Sequence, residues 1–185
     1  MRLLATAGLG LAIAAGLALP AAAESCQTFG AGQYYDAIHF CVSSELVSKT
    51  GVRYGPENLN RDGAAWCEGA RGPGIGETIT IRLDGAAPFK RLWIVNGYDK
   101  SQKSFRENGR VARLKVTTDT GLRTTVSLLD QTGEQMFYLP KEAPYRWVRL
   151  TIDKVYAGER YADTCVSAVW PDFEFSDNAP WAGGK

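Results

Sequence analysis

The sequence predicts an all-β protein with the architecture of a β-sandwich or jelly roll. About eight short runs of β-branched and apolar residues alternate with polar ones, at spacings of roughly ten residues. Glycine, asparagine and aspartate turn signals separate these runs. Outside residues 1–23, no apolar stripe with helical spacing extends over a useful length. Together these patterns favour packed antiparallel sheets over any helical architecture.

Residues 1–23 are expected to be a signal peptide rather than part of the fold. Arg2 supplies a short positive region, residues 3–19 are uncharged and apolar, and Ala21–Ala23 form a small-residue cleavage site. A membrane anchor is the competing interpretation, but the apolar run is short, contains glycine and is followed at once by the cleavage site. The sequence therefore predicts a secreted or periplasmic protein with no membrane span after cleavage.

The charge balance argues against a nucleic-acid partner. Cleavage after Ala23 leaves 185 − 23 = 162 residues, enough for one domain with a real core. The leader removes one arginine and no acid, so 21 − 1 = 20 basic residues face 20 acidic ones. A nucleic-acid-binding domain would be expected to carry a strongly basic face.

The predicted strands follow one another with turns between them. They span residues 39–48, 78–83, 92–96, 110–117, 124–130, 135–139, 147–155 and 164–170. Residues 24–40 read as a polar lead-in. Residues 50–77 are so rich in glycine and turn signals that they predict a long structured loop without a regular element, and loops of this kind are often functional. The end of the chain reads as a frayed tail.

The four cysteines predict two disulfides. An even number of cysteines in an exported domain is typical of disulfide bonding, whereas zinc sites need closer cysteine or histidine pairs than this chain offers. Because the first and last strands of a jelly roll are commonly neighbours, we pair Cys67 with Cys165 and Cys26 with Cys41. A Cys41–Cys165 bond is the main alternative, since both cysteines lie in predicted strands.

Residues 91–117 contain two predicted strands joined by a polar loop. Asn96-Gly97 and Asn108-Gly109 are turn signals, because asparagine and glycine tolerate a positive φ. Between them the loop carries aromatic and cationic side chains, which suit either a recognition surface or a solvated hairpin end. Aromatic residues are frequent at predicted loop positions of the whole chain: Tyr54, Trp66, Tyr98, Phe105, Tyr156 and Tyr161.

Known catalytic motifs are not apparent, and we expect no enzymatic activity. His39 is the one histidine, it lies in a predicted strand, and no Gly-x-Ser-x-Gly motif is present. Acid pairs such as Asp62 with Glu68, or Glu68 with Glu77, could flank a glycosidic bond, but twenty acids produce such pairs by chance. The stretch GARGPGIGE lacks the Lys-Ser/Thr of a phosphate-binding loop and reads as a tight turn.

Four stretches in this order resemble a known family. They are SSELVS, RYGPENLNRDGAAWCEGARGPGIGE, LWIVNGYDKS with FRENGRVARLKV, and LTIDKVYAGERYADTCVS. They are similar to the discoidin-like, factor V/VIII type C-like domain that precedes the catalytic domain of secreted bacterial NAD glycohydrolases, where it is described as a translocation or glycan-binding domain. The resemblance covers residues 42–169.

The resemblance implies a galactose-binding-domain-like jelly roll and non-catalytic glycan recognition, without NAD hydrolysis. It divides the chain into a signal peptide (1–23), a lead-in (24–40), a discoidin-like glycan-binding β-sandwich (41–171) and a flexible tail (172–185). Two features depart from the family pattern. The loop from Asp62 to Trp66 looks shorter, and Ala168 stands where related sequences generally have glutamate. Because alanine offers no side-chain oxygen, we expect no metal or cofactor, and a structural calcium is doubtful.

We therefore interpret the chain as an exported module that binds a cell-surface or envelope glycan weakly and multivalently. The expected site contains Tyr98, Lys100, Asn108 and Arg110, with Trp66 and Glu68 as neighbours. A sugar ring has an apolar face and a polar rim, which suits an aromatic ring beside hydrogen-bonding side chains. The alternative is a structural module, or one that binds another envelope protein, with the same fold and no affinity for sugar.

Overall fold

A computed structural model describes residues 24–174, and the predicted signal peptide and residues 175–185 of the predicted tail lie outside this range. The described chain is nearly all-β, as the sequence predicts. In that range, no helix is long and apolar enough to cross a membrane. The twelve strands are β1 (Ser25–Phe29), β2 (Ala37–Val42), β3 (Leu46–Val47), β4 (Arg53–Tyr54), β5 (Trp66–Cys67), β6 (Thr78–Asp84), β7 (Phe89–Asn96), β8 (Gly109–Thr118), β9 (Arg123–Ser127), β10 (Glu134–Ala143), β11 (Trp147–Tyr156) and β12 (Thr164–Asp172).

The strands pair in the order β1-β2-β6-β11-β8-β12-β7-β10, with β9 added to β8 and β5 added to β12. Nearly all of these pairings are antiparallel. The exception is a short parallel contact of β12 with β8, in which Thr164 lies opposite Gly109 and Cys165 opposite Arg110. This contact joins the two halves of the jelly roll. One half contains β1, β2, β6, β11, β8 and β9, and the other contains β12, β7, β10 and β5. Strand β12 therefore contacts both halves.

One hydrophobic core lies between the two halves of the jelly roll. Strand β6 shows how the sequence forms it: Ile79, Ile81 and Leu83 point inward at every second position, while Arg82 lies on the surface. The inward residues of β2, β10 and β11 follow the same period, and inward residues of β7, β8 and β12 join the same cluster. Burying apolar area from both sheets is what makes this arrangement stable.

The structure contains more strands than the sequence analysis predicted. The predicted lead-in (24–40) includes all of β1 and most of β2, and Ile38 and Phe40 belong to the core. At the other end, β12 extends to Asp172 and Phe173 packs on the ring of Phe89, so the predicted tail begins too early. The polar alternation of β1 conceals it, because β1 is an edge strand with only one covered face.

Two short helices lie in segments that the sequence analysis predicted to be loops. A 3₁₀ helix, Pro56–Leu59, and the two-residue strands β4 and β5 interrupt the predicted loop. Helix α1, Gln102–Glu107, fills most of the loop after β7, and Ser101 caps it by accepting from the backbone N–H of Ser104. Asn108-Gly109 is therefore not a positive-φ turn: Asn108 has φ −101° and ends the helix in extended backbone.

Both predicted disulfides are present, and the described residues contain no free cysteine. Each bond joins residues directly opposite each other in an antiparallel pair, Cys26 with Cys41 across β1 and β2, and Cys67 with Cys165 across β5 and β12. The first bond pins an edge strand to the sheet. The second ties the turn-rich segment to the strand on which both halves converge.

The two disulfides should contribute unequally to stability. The Cys67–Cys165 bond spans 98 positions and the Cys26–Cys41 bond spans 15. Chain entropy in the unfolded state then predicts losses of about 4.7 and about 3 kcal/mol when each pair is replaced by serine. Urea denaturation of the two double-serine variants tests the order, and a larger loss for the Cys26–Cys41 pair would contradict it.

Candidate functional site

A groove of about 620 Å³ lies at one end of the sandwich. We call it the tyrosine groove, because three tyrosines line it: Tyr54, Tyr98 and Tyr161. Its walls come from three segments, namely the β3–β4 hairpin, helix α1 and residues 157–163. Tyr161 is 41% exposed and Tyr98 is half-buried, so aromatic surface is available within the groove.

The floor of the groove rests on the Cys67–Cys165 disulfide. Cys67 lines the groove directly, and the two cysteines form a small buried cluster with Ala65. Tyr54 and Tyr98 pack against this cluster and meet each other edge to face, with ring centroids 6.2 Å apart and planes at 76°. This geometry is favourable for aromatic pairs and fixes both phenol rings relative to the sandwich.

Tyr98 is positioned by the turn that ends β7. Gly97 has φ +73°, which an L-residue rarely adopts, and a Cβ there would lie 2.6 Å from Cγ of Arg110. The turn is anchored on β12, because the hydroxyl of Ser167 donates to the carbonyl of Gly97 (2.9 Å) and accepts from the N–H of Asp99 (2.9 Å). Before the turn, buried Asn96 exchanges two hydrogen bonds with the backbone of Val111.

Helix α1 presents one polar face to the groove. Ser104, Glu107 and Asn108 line the groove at spacings of three and four residues, which places them on the same side of a helix. Phe105 points the other way, is buried, and lies under the guanidinium of Arg110 at 5.2 Å. Glu107 forms ion pairs with Lys103 (4.0 Å) and Arg160 (3.6 Å) at the rim.

Residues 157–163 dock on the end of α1. The backbone N–H groups of Arg160 and Tyr161 both donate to the carbonyl of Glu107, at 3.1 and 2.8 Å, and the N–H of Glu159 donates to the carbonyl of Arg106 at 3.0 Å. These bonds satisfy carbonyls that a helix leaves unpaired at its C-terminus. They also bring Tyr161 and Asp163 to the groove.

The arrangement suits a ligand with apolar faces and hydroxyl groups. Phenol rings provide flat apolar surface, and the carboxylates, hydroxyls and the amide of Asn108 provide hydrogen bonds. Among residues 24–174, no hydrogen bond or ion pair engages the carboxylate of Asp163, which leaves it available to a ligand. Lys49 is the one lysine in the lining, against Glu107 and Asp163. Because Glu107 is already paired with Lys103 and Arg160, Asp163 is the acid whose charge would disfavour an anionic ligand.

The six predicted site residues divide into three groups. Tyr98 and Asn108 line the tyrosine groove, although the amide of Asn108 also donates to the carbonyl of Ser104 at 2.8 Å. Lys100 is exposed on the turn before α1 and does not line the groove. The other three residues are buried and serve the fold.

Trp66, Glu68 and Arg110 hold the structure together and offer no ligand surface. Trp66 is 0% exposed, belongs to the main core and donates from its indole N–H to the carbonyl of Ser44. Arg110 forms a bidentate pair with Asp130 and donates to the carbonyls of Asn108 and Ala157. The guanidinium thus links the end of α1, the loop after β9 and the segment after β11.

Glu68 is a fully buried carboxylate that braces the turn-rich segment. It accepts hydrogen bonds from the N–H groups of Thr164 (3.1 Å) and Ala70 (2.7 Å). Burial raises the pKa of Glu68 above its ordinary value, and these two hydrogen bonds oppose the shift only in part. A Cβ at Gly74 would lie 2.4 Å from Cγ of Glu68, so the glycine-rich turn is fitted around this side chain.

The sequence analysis did not identify Glu107, Asp163 and Ser104 as site residues. Tyr54 and Tyr161 were noted only as aromatics at predicted loop positions. The helical spacing of Ser104, Glu107 and Asn108 was the available signal, but a six-residue helix is too short to show a periodic pattern. The docking of residues 157–163 has no local signal at all, since it depends on carbonyls at the end of α1.

The model of the NAD glycohydrolase translocation F5/8 type C domain family matches residues 33–172. The chain belongs to this family. A search of curated proteins gives no match. Solved structures with the same fold include the family 32 CBM of NanJ from C. perfringens in complex with galactose, with a TM-score of 0.53, 11% identity, and coverage of 72% of this chain and 92% of that chain.

Two further solved structures share the fold of this chain. One is CBM32-5 of a C. perfringens protein in complex with GalNAc-β-1,3-galactose, with a TM-score of 0.53, 10% identity, and coverage of 71% of this chain and 92% of that chain. The other is a mutant of the arabinofuranosyltransferase AftD from Mycobacteria, with a TM-score of 0.52 and 19% identity. That match covers 79% of this chain and only 11% of AftD.

Replacing Glu68 should change how stability depends on pH. Because the folded state raises the pKa of Glu68, the neutral carboxyl is the stabilising form. Its contribution is fully present below the unfolded pKa, near 4.5, and declines as the pH rises through the folded pKa. The stability advantage of the wild type over Glu68→Gln should therefore shrink as the pH is raised from about 4 towards neutrality.

Thermal unfolding across this pH range measures the effect of Glu68→Gln. Glu134→Gln, on the exposed side of β10, is the matched control and should show a constant difference from the wild type. A wild-type advantage that grows with pH would show that the ionised carboxylate is the stabilising form.

Arg110→Ala should destabilise the fold by about 2 to 4 kcal/mol, because it leaves two carbonyls and Asp130 without their donor. Urea denaturation checks this value, with Arg123→Ala on the exposed face of β9 as the control, expected to change stability by less than about 0.5 kcal/mol. If Arg110→Ala leaves the free energy of unfolding unchanged, the structural role assigned to Arg110 is wrong.

Proposed function

We propose that this chain is a non-catalytic carbohydrate-binding module that holds a neutral sugar residue in the tyrosine groove. The observation that carries the proposal is the meeting of three tyrosines with two carboxylates and an amide in one open groove. The rings come from segments far apart in the sequence, and two of them, Tyr54 and Tyr98, rest on one disulfide. Core packing alone does not require partly exposed aromatic rings at such a place.

Sugar chemistry fits this lining. A pyranose has a flat C–H face that stacks on a phenol ring, and hydroxyls around its rim that donate to carboxylates. Tyr98 and Tyr161 offer the rings, and Asp163 and Glu107 offer the acceptors. The excess of acids over Lys49 favours a neutral sugar over a uronic acid or a sialic acid.

Family and fold support the same proposal. Two structures of this fold were determined with galactose or a galactose-containing disaccharide bound. As further support for a binding role, His39, the one histidine of the sequence, is engaged by Thr28 and Asp84, and all four cysteines are in disulfides. The disulfides also fit an exported protein that meets its glycan outside the cytoplasm.

Affinity for a single sugar should be weak. A ring stacked on Tyr98 buries roughly 60 Å² of apolar surface, which contributes about 1.5 kcal/mol at about 25 cal/mol per Å². Two or three hydrogen bonds add about 0.5 to 1.5 kcal/mol each. The gross sum of about 4 to 5 kcal/mol corresponds to a dissociation constant near millimolar. Such a module becomes effective on a multivalent surface such as a cell-envelope glycan.

Tyr98→Ala should abolish retention of the purified module on an immobilised glycan column while changing the melting temperature little. The ring is half-buried and sits on the disulfide cluster, so its loss removes the stacking surface at a modest packing cost. Affinity chromatography, with the ligand chosen from a glycan array on the wild type, measures the effect. Tyr138→Ala, an exposed tyrosine of β10 outside the groove, is the matched control and should bind normally.

Two outcomes would contradict the proposal. Wild-type protein that binds no sugar on a broad array would favour the alternative, a module that contacts an envelope protein or serves the envelope structure. Release of reducing sugar from a bound glycan would show that the carboxylates of the groove act catalytically.

A further inference from the structure

A second groove lies on the outer face of the other half of the jelly roll. It has a volume of about 180 Å³ and lies between the outer side of strands β7 and β12 and the loop of residues 60–64. We call it the tryptophan groove, because Trp93 and Trp170 line it. Neither tryptophan belongs to the tyrosine groove.

The register of β7 and β12 builds the floor of this groove. Trp170 lies directly opposite Trp93, and two residues along the strand Ala168 lies opposite Val95. Side chains at opposed positions on one face are about 4.5 to 5.5 Å apart at their Cβ atoms, so the two tryptophans leave the sheet at adjacent positions. The ring of Trp170 also packs edge to face on Phe40 of the core, with centroids 5.0 Å apart. Because alanine fills so little space, Ala168 leaves the floor open beside them.

The indole N–H groups of Trp93 and Trp170 differ from that of Trp66. The N–H of buried Trp66 donates to the carbonyl of Ser44 at 2.8 Å. For Trp93 and Trp170, no residue in the range 24–174 accepts a hydrogen bond from the indole N–H. Neither N–H is fully buried. Both indoles are half-buried, so a ligand in the groove can reach their donors.

The opposite wall carries two charged side chains that have no partner within the described residues. Within the described residues, Arg61 and Asp62 form no side-chain hydrogen bond and no ion pair, although both are exposed on the loop that closes the groove. Asp99, at the end of the groove, accepts the N–H of Gly133 with Oδ2 (2.9 Å). Two carboxylates against one guanidinium make the lining slightly acidic.

We propose that the tryptophan groove is a second carbohydrate site that takes one neutral pyranose residue. The indoles of Trp93 and Trp170, which both line the groove, offer flat apolar surface for the C–H face of the ring. Their N–H groups, with Arg61 and Asp62, offer hydrogen bonds for its hydroxyls. The volume equals that of about six water molecules at ~30 Å³ each, which is room for one ring and not for a chain. The acidic balance disfavours an anionic sugar.

The two grooves lie on two sides of one turn. Tyr98 lines the tyrosine groove and Asp99, the next residue, lines the tryptophan groove. Ser167 holds this turn on β12. The module therefore offers two sugar contacts at a fixed separation, and a branched or repeating glycan that reaches both would bind with avidity that neither contact has alone.

The test is an NMR titration of the isotope-labelled full chain with galactose, glucose, mannose and N-acetylglucosamine in separate experiments. The indole N–H signals are assigned by single Trp→Phe substitutions. We expect saturable shifts of the Trp93 and Trp170 signals with at least one sugar. The signals of buried Trp66 and of Trp147, which lies on another strand outside both grooves, should stay unchanged.

Ala168→Leu fills the floor of the tryptophan groove without altering either indole, and it should remove these shifts while binding in the tyrosine groove continues. Tyr98→Ala should do the reverse, so that failure at one groove is distinguishable from failure at the other. Val95→Ala, which enlarges the same floor, shows whether the effect of leucine is steric.

Three results would overturn the proposal. They are indole signals that no sugar moves, shifts that persist in a folded Ala168→Leu variant, and shifts that appear only with a proline-rich peptide, which would make the groove a peptide site. Unchanged dispersion of the remaining amide signals shows whether Ala168→Leu is folded. If it is not, Ala168→Val gives the same comparison with a smaller side chain.

Discussion

The Cys67–Cys165 disulfide is the constraint on which the rest of this architecture depends. It fastens the turn-rich segment to β12, the strand that contacts both halves of the jelly roll. Glu68 reinforces the junction by accepting the N–H of Thr164. Because residues on either side of the bond cannot move independently, the rings of Tyr54 and Tyr98 have a fixed floor although they stand on a short hairpin and a turn. Recognition loops on such a scaffold lose little conformational entropy when a ligand binds.

The fold could be predicted from the sequence because its signal is local. Alternation in β6 and β11 specifies which face is buried. The expected strand order favoured the cysteine pairing that the structure has, although it left a Cys41–Cys165 bond as an alternative. The candidate site could be predicted only in part. Tyr98 follows a recognisable turn, but the burial of Arg110 depends on Asp130 and on the carbonyl of Ala157, which are distant in sequence. Trp66 and Glu68 were expected beside the glycan site, whereas both are fully buried.

Polar side chains inside this protein are mostly structural. Asn96, Glu68 and Arg110 each satisfy backbone groups at points where a strand ends and a turn begins. A buried polar group is stable there because its partners are fixed, and the same fixed partners make it unsuitable for a ligand. The side chains suited to recognition are the ones that the fold leaves without such partners, as Asp163, Arg61 and Asp62 show within the described chain.

The docking of residues 157–163 on α1 has a consequence for how ligands act on this protein. A six-residue helix does not persist alone in water, because its nucleation cost exceeds the gain from so few hydrogen bonds. The segment that caps it has no regular structure of its own and takes its shape from the carbonyls of Arg106 and Glu107. We therefore expect the helix and the segment to open together as one cooperative unit. A ligand that contacts Tyr161 should therefore also stabilise α1, including Ser104, because both segments belong to one hydrogen-bonded unit.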